Sequence, residues 1–528
     1  WMATGGGKTE AYLGVAAFTM LWRRTQQVAS GGQLSGHGCS VMMRYTLRLL
    51  TAQQLQRGAA LICALEQIRL RERQSLGARR FTIGAWLGSS STPNDWSSAR
   101  RKLNEWKSNT ASRSFLLTRC PWCAAAIGRR SGSGQQPIDG YKIVPVPNSS
   151  DQRVMAYCPD PACPFNDDNQ RRAGQNPFGL PVYEVDEDLY QQAPTFLVGT
   201  IDKFAQLSWR SNPSVLFGLR NGKRTGLGPA LFIQDELHLI SGPLGSLDAL
   251  YEPILEDLSA RDGGEAPKII AATATTRRYV EQTAALYARS KVRLVPPPGL
   301  EATDNFFSRV DEASAGKAFV GIYAPGYGKT QEVYVRILAA LSHAAGSLDA
   351  IGVNADPWWT NLCFFSSRRA LGLVQSLCQT HLRGHTWRLH RATGVHAGPA
   401  RATGTRLVQR PMVSRVELTA HATADVSEAM ERLSRKMSEK GCADLCFATS
   451  MIEVGVDIDR LGLLTMFGQP KSASQYIQVA GRVGRDEHNA PGVVFVVLSP
   501  FNNRDRSHFE QFSSFHRRLY ASVEPVSI

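Results

Sequence analysis

The chain has 528 residues, 43% of them hydrophobic, so it is long enough to bury more than one core and we expect at least two domains. Its 60 lysines and arginines against 45 acidic residues give a formal net charge of +15, which favours an anionic partner such as nucleic acid, although a basic protein without a specific partner is an equal alternative on charge alone. No stretch approaches the roughly 18 apolar residues of a membrane helix, and 10 mostly isolated cysteines are few for a disulfide framework; this composition excludes a membrane-spanning protein and favours a cytoplasmic one.

The chain begins at Trp1 and almost at once reaches a phosphate-loop pattern that ordinarily follows a buried strand. We therefore expect it to be a fragment of a longer protein, with flanking domains on both sides.

The first motif is MATGGGKT at residues 2–9, followed by a helical stretch. Its glycines allow backbone N–H groups to surround a phosphate, and the start of the helix adds a partial positive charge; they are Gly5, Gly6 and Gly7. Lys8 would reach the terminal phosphates and the Thr9 hydroxyl would hold Mg²⁺. A glycine-rich turn before an ordinary helix is the alternative.

Four cysteines lie in a segment that is rich in Gly, Ser, Pro, Arg and Asn and looks inserted into the first domain. They form one pair with a two-residue spacer and one with a four-residue spacer: Cys120 and Cys123, then Cys158 and Cys163. Both spacers suit tetrahedral zinc thiolate geometry, and this part of the chain has no other evident stabiliser. We predict a structural Zn²⁺, with free or redox-active thiols as the alternative.

An acidic motif follows the apolar run LFIQ at residues 231–234. Carboxylates at the carboxyl end of a strand are placed where open α/β sheets bind ligands. Asp235 would hold Mg²⁺ through water, Glu236 would polarise the attacking water, and His238 would sense the nucleotide. An ordinary exposed acidic loop is the alternative. The sequence ATAT at 272–275 follows the next apolar run and would carry little meaning alone.

The prolines at 296–298 begin a break that we interpret as the connection between domains. Beyond it, Gly328-Lys329-Thr330 repeats the sequence of the first motif. Tyr327 stands where a phosphate loop requires Gly or Ala, and no apolar strand leads directly into the repeat. We therefore expect no nucleotide there.

The second half carries a basic motif, QYIQVAGRVGR at 475–485. Gln478, Arg482 and Arg485 fall at i, i+4 and i+7 and would share one helix face. Two guanidiniums so placed suit the charge on a transferring phosphoryl group, if this face meets the nucleotide of the first domain. A solvated basic helix is the alternative. Upstream, Thr449 could bind a backbone phosphate and Asp457 could couple that contact to the nucleotide, although a plain strand-loop-strand interpretation is equally consistent.

Short apolar runs alternate with helical stretches throughout, which predicts parallel sheets covered by helices. The expected strands are Thr195–Gly199, Leu231–Gln234, Lys268–Ala271, Leu362–Phe365, Asp444–Ala448 and Gly492–Leu498.

In this order the motifs resemble those of the superfamily 2 helicases of the DExH type, over nearly the whole chain. The phrases DELHLISGPLG at 235–245 and GTIDKF at 199–204 are most similar to the DrmA helicases of the bacterial DISARM anti-phage system. The resemblance implies an α/β fold with two RecA-like parallel-sheet domains in tandem and a small zinc-binding insertion in the first. It also implies ATP and Mg²⁺ as cofactors, and backbone-phosphate contacts from five residues: Arg48, Thr200, Ser366, Arg368 and Thr449.

The expected boundaries are residues 1–295 for the first domain, with the insertion at 115–178, and 296–345 for a linker and connecting helix. The second domain would be 346–515, and 516–528 would begin a further region. The expected function is that of an ATP-dependent helicase or translocase, with DNA favoured over RNA as its track and with other subunits of a defence system as partners. The alternatives are an RNA-directed helicase and a nucleic-acid-binding scaffold that has lost its ATPase.

Overall fold

In a computed structural model, the described residues form two compact units, one between Gly7 and Val292 and the other between Arg293 and Leu519. The structure describes residues 7–29, 38–45, 48–89, 91–108, 115–129, 138–147, 149–175, 179–240, 242–261, 265–273, 279–295, 304–306, 308–309, 316–396, 414–419, 426–453, 458–485 and 491–519. Among these residues, no helix is both long and apolar enough to cross a membrane.

The first unit is built on a six-stranded parallel sheet with the strand order β12-β11-β1-β8-β2-β7. Its central strands are buried along their whole length, as expected for a parallel sheet covered on both faces. The strands of the unit are β1 (Val41–Tyr45), β2 (Ile83–Trp86), β3 (Gly128–Arg129), β4 (Ile138–Asp139), β5 (Tyr141–Pro145), β6 (Gln152–Ala156), β7 (Val182–Tyr183), β8 (Phe196–Thr200), β9 (Leu219–Arg220), β10 (Lys223–Arg224), β11 (Leu231–Gln234) and β12 (Lys268–Ala271).

The helices of the first unit connect these strands. They are α1 (Lys8–Ala29), α2 (Arg48–Arg71), α3 (Arg73–Leu76), α4 (Trp96–Lys107), α5 (Asp167–Arg172), α6 (Asp186–Gln191), α7 (Ile201–Phe204), α8 (Gly242–Ala260) and α9 (Tyr279–Tyr287). The predicted insertion lies between α4 and β7, where β3 pairs with β4 and β5 pairs with β6 as small antiparallel ladders outside the main sheet.

The second unit contains another six-stranded parallel sheet, with the order β15-β20-β19-β16-β18-β17. Its elements are β13 (Asp304–Asn305), β14 (Ser308–Arg309), β15 (Ala318–Tyr323), α10 (Thr330–Ala350), α11 (Asp356–Trp359), β16 (Asn361–Phe365), α12 (Arg368–His396), β17 (Arg415–Leu418), α13 (Val426–Ser434), β18 (Leu445–Ala448), β19 (Leu463–Phe467), α14 (Ala473–Ala480), β20 (Val493–Leu498), α15 (Asn503–Glu510) and α16 (Phe512–Arg517). The predicted fold class, two parallel-sheet domains in tandem, is thereby confirmed.

The segment predicted as a linker and connecting helix, 296–345, contains a strand and a helix that pack in the second unit. The apolar run AFVGIY forms β15, which pairs in parallel with β20 along the edge of the second sheet. The following helix, α10, places Tyr334 and Leu338 in the same buried cluster as Phe365 of β16. These residues belong to the second unit because their apolar side chains pack in its core.

Candidate functional site

The carboxyl ends of the first sheet gather most of the chemically active residues predicted in the first half of the chain. Asp235 directly follows β11, and Thr273 follows the neighbouring strand β12. Parallel strands end at the same edge of a sheet, which is where α/β folds bind ligands. The structure therefore brings the second and third motifs together by topology alone.

The described part of the phosphate-loop motif is Gly7, Lys8 and Thr9, at the start of α1. Gly7 has φ +74°, a left-handed conformation that glycine adopts readily. Lys8 Nζ donates a hydrogen bond to the carbonyl oxygen of Thr273 at 3.2 Å, which places the ammonium group beside the acidic motif. Gly5 and Gly6 lie outside the described residues.

Tyr12 joins the two motifs and was missed by the sequence analysis. Its hydroxyl lies 3.0 Å from Asp235 Oδ2 and 3.1 Å from Thr9 Oγ1. The signal was present in the sequence, because Tyr12 stands three residues after Thr9 and so shares its face of α1. Tyr12 is a positioning residue that fixes the two side chains expected to hold Mg²⁺.

Asp235 is nearly buried, at 8% exposure. Burial, followed by the charge of the neighbouring Glu236, raises the pKa of this carboxyl to about 6, while the hydrogen bond from Tyr12 and the charge of Lys8 oppose the shift. A carboxylate whose charge is this unfavourable in its surroundings gains from a bound cation. Asp235 is thus suited to hold a divalent metal ion.

Glu236 adopts φ +52° and ψ +47°, a left-handed conformation that costs energy for a residue with a side chain. Its backbone N–H donates to Asp235 Oδ1 at 2.9 Å, which helps to hold this turn. Glu236 Oε2 lies 3.4 Å from Nδ1 of His238, and the same ring nitrogen lies 3.4 Å from Thr273 Oγ1. The Glu236 carboxylate is therefore less buried than that of Asp235, and it is linked to Thr273 through the ring of His238.

Removing the Tyr12 hydroxyl tests its positioning role. With Tyr12→Phe, the charged Asp235 carboxylate loses the hydrogen bond that the tyrosine hydroxyl donates to it, an interaction worth about 1.5 kcal/mol or more. We expect the ATP hydrolysis that the sequence predicts for this site to slow about 10-fold at limiting Mg²⁺, and by less at saturating Mg²⁺, in steady-state assays. Tyr251→Phe on α8 is the matched control, and an equal loss at both Mg²⁺ concentrations would contradict the assigned role.

In the second unit, the common helix face predicted for Gln478, Arg482 and Arg485 is wrong. Only Gln478 lies on α14, because the helix ends at Ala480 and the chain then turns, with Gly484 at φ +63°. A Cβ on Gly484 would lie 2.5 Å from the backbone of Gly492, so the turn requires glycine. The two arginines are presented by this turn and not by a helix.

The arginines nevertheless lie in one basic cluster. Arg482 is nearly buried and donates to the carbonyl oxygen of Glu453, while Arg485 Nε donates to the carbonyl oxygen of Gly481 at 3.0 Å. Lys317, just before β15, donates to the carbonyl oxygen of Ala480 at 3.1 Å. Burial lowers the pKa of Lys317 to about 8, and the charges of Arg485 and Arg482 contribute to this shift. Sequence reasoning missed Lys317 because it is distant from the motif in the chain.

The residues predicted to contact a nucleic-acid backbone lie in different settings. Ser366 and Thr449 follow the neighbouring strands β16 and β18, and Ser366 is exposed while Thr449 is nearly buried. Arg368 begins α12 and is exposed. Thr200 ends β8 and is buried, with 2% of its surface exposed, so its side chain is not accessible to a nucleic-acid strand.

Two further predicted residues fall partly or wholly outside the described residues. Arg48 begins α2, but its side chain lies outside the described residues, and Asp457 lies outside them altogether.

The four predicted cysteines of the insertion come together as one cluster. Their sulfur atoms all lie within 4.8 Å of one another, with Cys120 and Cys163 at 4.0 Å and Cys123 and Cys158 at 3.4 Å. Tetrahedral Zn²⁺ with bonds of about 2.3 Å to sulfur separates its ligands by about 3.8 Å. The cluster therefore has the composition and spacing to hold a metal ion.

Parts of this chain are similar to known proteins. Residues 418–487 match the helicase conserved C-terminal domain, a segment that includes Thr449 and the whole basic motif. The DISARM protein DrmA of Bacillus paralicheniformis is 32% identical over 99% of this chain, which spans 47% of that relative's length. The structure of the Mycobacterium smegmatis helicase Lhr, bound to single-stranded DNA and AMP-PNP, aligns with all of this chain and 46% of its own at a TM-score of 0.51 and 16% identity.

Proposed function

From the premise that this chain is a homologue of DrmA with a helicase C-terminal domain and the fold of a helicase, we propose that it is the ATP-hydrolysing motor core of a nucleic-acid translocase. The observation that carries the proposal is the convergence of Lys8, Thr9 and Asp235 within the first unit, where Tyr12 bonds two of them together. These are the groups that phosphoryl transfer from a magnesium nucleotide requires.

Each residue of this site has a defined task in the proposed reaction. Lys8 neutralises the terminal phosphates, and Thr9 and Asp235 hold the Mg²⁺ that ATP brings. Glu236 orients and polarises the attacking water, and His238 reports the state of the nucleotide through its contact with Thr273. The strained turn at Glu236 holds the carboxylate ready for this task, which reduces the reorganisation needed at the moment of reaction.

The second unit completes the reaction in this proposal. Arg482 and Arg485 stabilise the charge that develops on the transferring phosphoryl group, Gln478 supports them, and Asp457 couples the nucleotide to the track. Ser366, Arg368 and Thr449 bind the backbone of the nucleic-acid strand, together with Arg48 of the first unit. Changes in the affinity of these contacts for the nucleic-acid strand during the ATP cycle would move the strand.

The biological role that fits the resemblance is that of a motor in a bacterial anti-phage defence system, acting on DNA with other subunits of that system. A steady-state ATPase assay with and without single-stranded DNA tests the proposal. We expect DNA to stimulate hydrolysis and Lys8→Ala to abolish it, whereas Lys107→Ala, an exposed lysine at the end of α4, should behave as wild type. Hydrolysis that no nucleic acid stimulates would overturn the proposal.

Two other functions are separated by the same assay. Stimulation by RNA and not by DNA would identify an RNA-directed helicase. Nucleic-acid binding without any hydrolysis would identify a scaffold that has lost its ATPase. The presence of the lysine, both carboxylates and both arginines speaks against that last alternative.

We also propose that the cysteine cluster holds a structural Zn²⁺. Four thiolates fill a tetrahedral coordination shell, so the metal would have no open position for catalysis. The two short ladders of the insertion bury few side chains, so a metal would supply the cross-link that holds them together.

Metal analysis tests the zinc proposal directly. We expect about one Zn²⁺ per chain by elemental mass spectrometry, and we expect Cys163→Ser to lose the metal and lower the melting temperature. Cys442→Ser is the matched control, because Cys442 lies in the second unit, outside the cluster, and should leave the zinc content unchanged. A metal-free wild-type protein with an unchanged melting temperature after chelation would contradict the proposal.

A further inference from the structure

A cavity of about 490 Å³ opens at the carboxyl edge of the second sheet, where β15, β16, β19 and β20 end. Its lining contains three cationic side chains, Lys329, Lys471 and Arg504, against a single carboxylate, Asp505. Glu332 on the first turn of α10 is exposed and does not line it. The cavity therefore carries a positive charge that suits an anionic ligand.

A strand precedes the repeated Gly-Lys-Thr sequence, although it does not lead directly into it. The edge strand β15 ends at Tyr323, the chain turns through Gly328 at φ +79°, and α10 begins at Thr330. The Thr330 hydroxyl is hydrogen bonded to that of Ser499 at 2.9 Å, which joins this turn to the end of β20. Lys329 is thereby held beside the cavity at the start of a long helix, whose partial positive charge adds to its own.

The acidic residue of the cavity is already engaged. Asp505 accepts the backbone N–H of Gln469 at 3.2 Å and that of Ser499 at 2.9 Å, one on each carboxylate oxygen. No second carboxylate is found among the described residues that line the cavity, so this lining lacks the acidic group that Asp235 supplies in the first unit. A phosphodiester, which needs no bound Mg²⁺, suits this lining better than a magnesium nucleotide does.

An aromatic side chain lies beside the cations. Phe501 lines the cavity with 75% of its surface exposed, in the loop that follows β20. An exposed aromatic ring next to a groove of cations is the arrangement by which proteins hold single strands, with bases stacked on the ring and phosphates on the cations.

The cavity lies next to residues that are already proposed to contact the nucleic-acid backbone. Thr449 follows β18 and Ser366 follows β16, and Ser366 itself lines the cavity. Neighbouring strands lie about 4.8 Å apart, so the row of strand ends from β18 to β15 measures about 19 Å and accommodates several nucleotides.

We propose that this cavity binds a nucleotide unit of the single strand, with its phosphate on Lys329 and Lys471 and its base on Phe501. The inference rests on the proposed function and deepens it. It extends the nucleic-acid contacts beyond Thr449 and Ser366 to Lys471 and Phe501, which no sequence motif identified, and to Lys329 of the repeated Gly-Lys-Thr sequence, where no nucleotide was expected. Arg504 acts as a positioning residue, since it donates to the carbonyl oxygens of Pro470 at 2.5 Å and Lys471 at 2.6 Å.

Equilibrium binding of a fluorescent oligothymidylate to the full chain, measured over a series of salt concentrations, tests this inference. For the double variant Lys329→Ala with Lys471→Ala, the slope of log affinity against log salt should decrease by about 0.7 for each phosphate that the variant no longer neutralises. Phe501→Ala should weaken binding by about 5-fold to 150-fold without changing that slope, because it removes stacking and no charge.

Lys440→Ala is the matched control. Lys440 is an exposed lysine that precedes β18, near the opposite edge of the same sheet, and its replacement should change neither affinity nor slope.

The outcomes separate this inference from the proposed function. If the cavity variants bind the oligonucleotide as wild type does while DNA still stimulates hydrolysis, the inference fails and the proposed function stands. If the wild type binds no strand and shows no stimulation, both fail. Weaker binding of a labelled thymidine monophosphate by the lysine variants, with strand binding unchanged, would assign the cavity to a free nucleotide and overturn the inference.

Discussion

Replacing Glu236 by glutamine is expected to reduce the rate of ATP hydrolysis by about 100-fold to 10,000-fold while ATP binding is retained. The amide keeps the size and shape of the side chain but cannot accept a proton from the attacking water. Lys8, Thr9 and Asp235 remain in place to bind the magnesium nucleotide, so the loss should appear in kcat. Single-turnover hydrolysis and binding of a fluorescent ATP analogue measure the two effects separately.

The matched control is Glu72→Gln, at an exposed position before α3 in the same unit. It makes the same chemical change without touching the site, so we expect wild-type rates. If Glu236→Gln weakened ATP binding as much as it slowed hydrolysis, Glu236 would belong to the metal-binding shell and the roles of the two carboxylates would have to be exchanged. Unchanged hydrolysis would remove Glu236 from the mechanism.

The sheets could be predicted from the sequence because buried parallel strands are short, continuous apolar runs between polar turns. The strands at 231–234 and 268–271 have the predicted bounds, and the one ending at Leu498 begins one residue later than expected. The proximity of Lys8 to the acidic motif was not visible in any local pattern. It followed from the order of the motifs and from the rule that parallel strands end at one edge of the sheet.

The failures of the sequence analysis have identifiable physical causes. The prediction that the basic motif lies on one helix is wrong because glycines favour the end of a helix. Helix α14 stops at Ala480, directly before Gly481, and the chain turns again at Gly484. The edge strand β15 was assigned to the linker because it follows a long polar stretch. Tyr12 and Lys317 were missed because no known motif assigns a role to a tyrosine or a lysine at these positions. Each acts through contacts that exist only in the folded chain.

Replacing Arg485 by alanine tests whether the second unit takes part in hydrolysis at all. An arginine that stabilises the transferring phosphoryl group contributes about 1,000-fold or more to the rate. We expect Arg485→Ala to reduce hydrolysis by about this factor, with ATP affinity changed much less, because the charge it meets develops only in the transition state. Arg485 is the better residue to replace, since Arg482 is nearly buried and bonded to the backbone at Glu453, so its loss would also disturb the local fold.

Arg383→Ala, an exposed arginine on α12, is the matched control and should hydrolyse ATP at the wild-type rate. Melting temperatures of all three proteins separate a loss of chemistry from a loss of structure. The DNA dependence gives a second readout: if Arg485 acts only when a strand draws the units together, its removal should abolish the stimulated rate and leave the residual rate without DNA nearly unchanged. Full stimulated hydrolysis by Arg485→Ala would exclude this arginine from the reaction and leave the first unit to hydrolyse ATP without it.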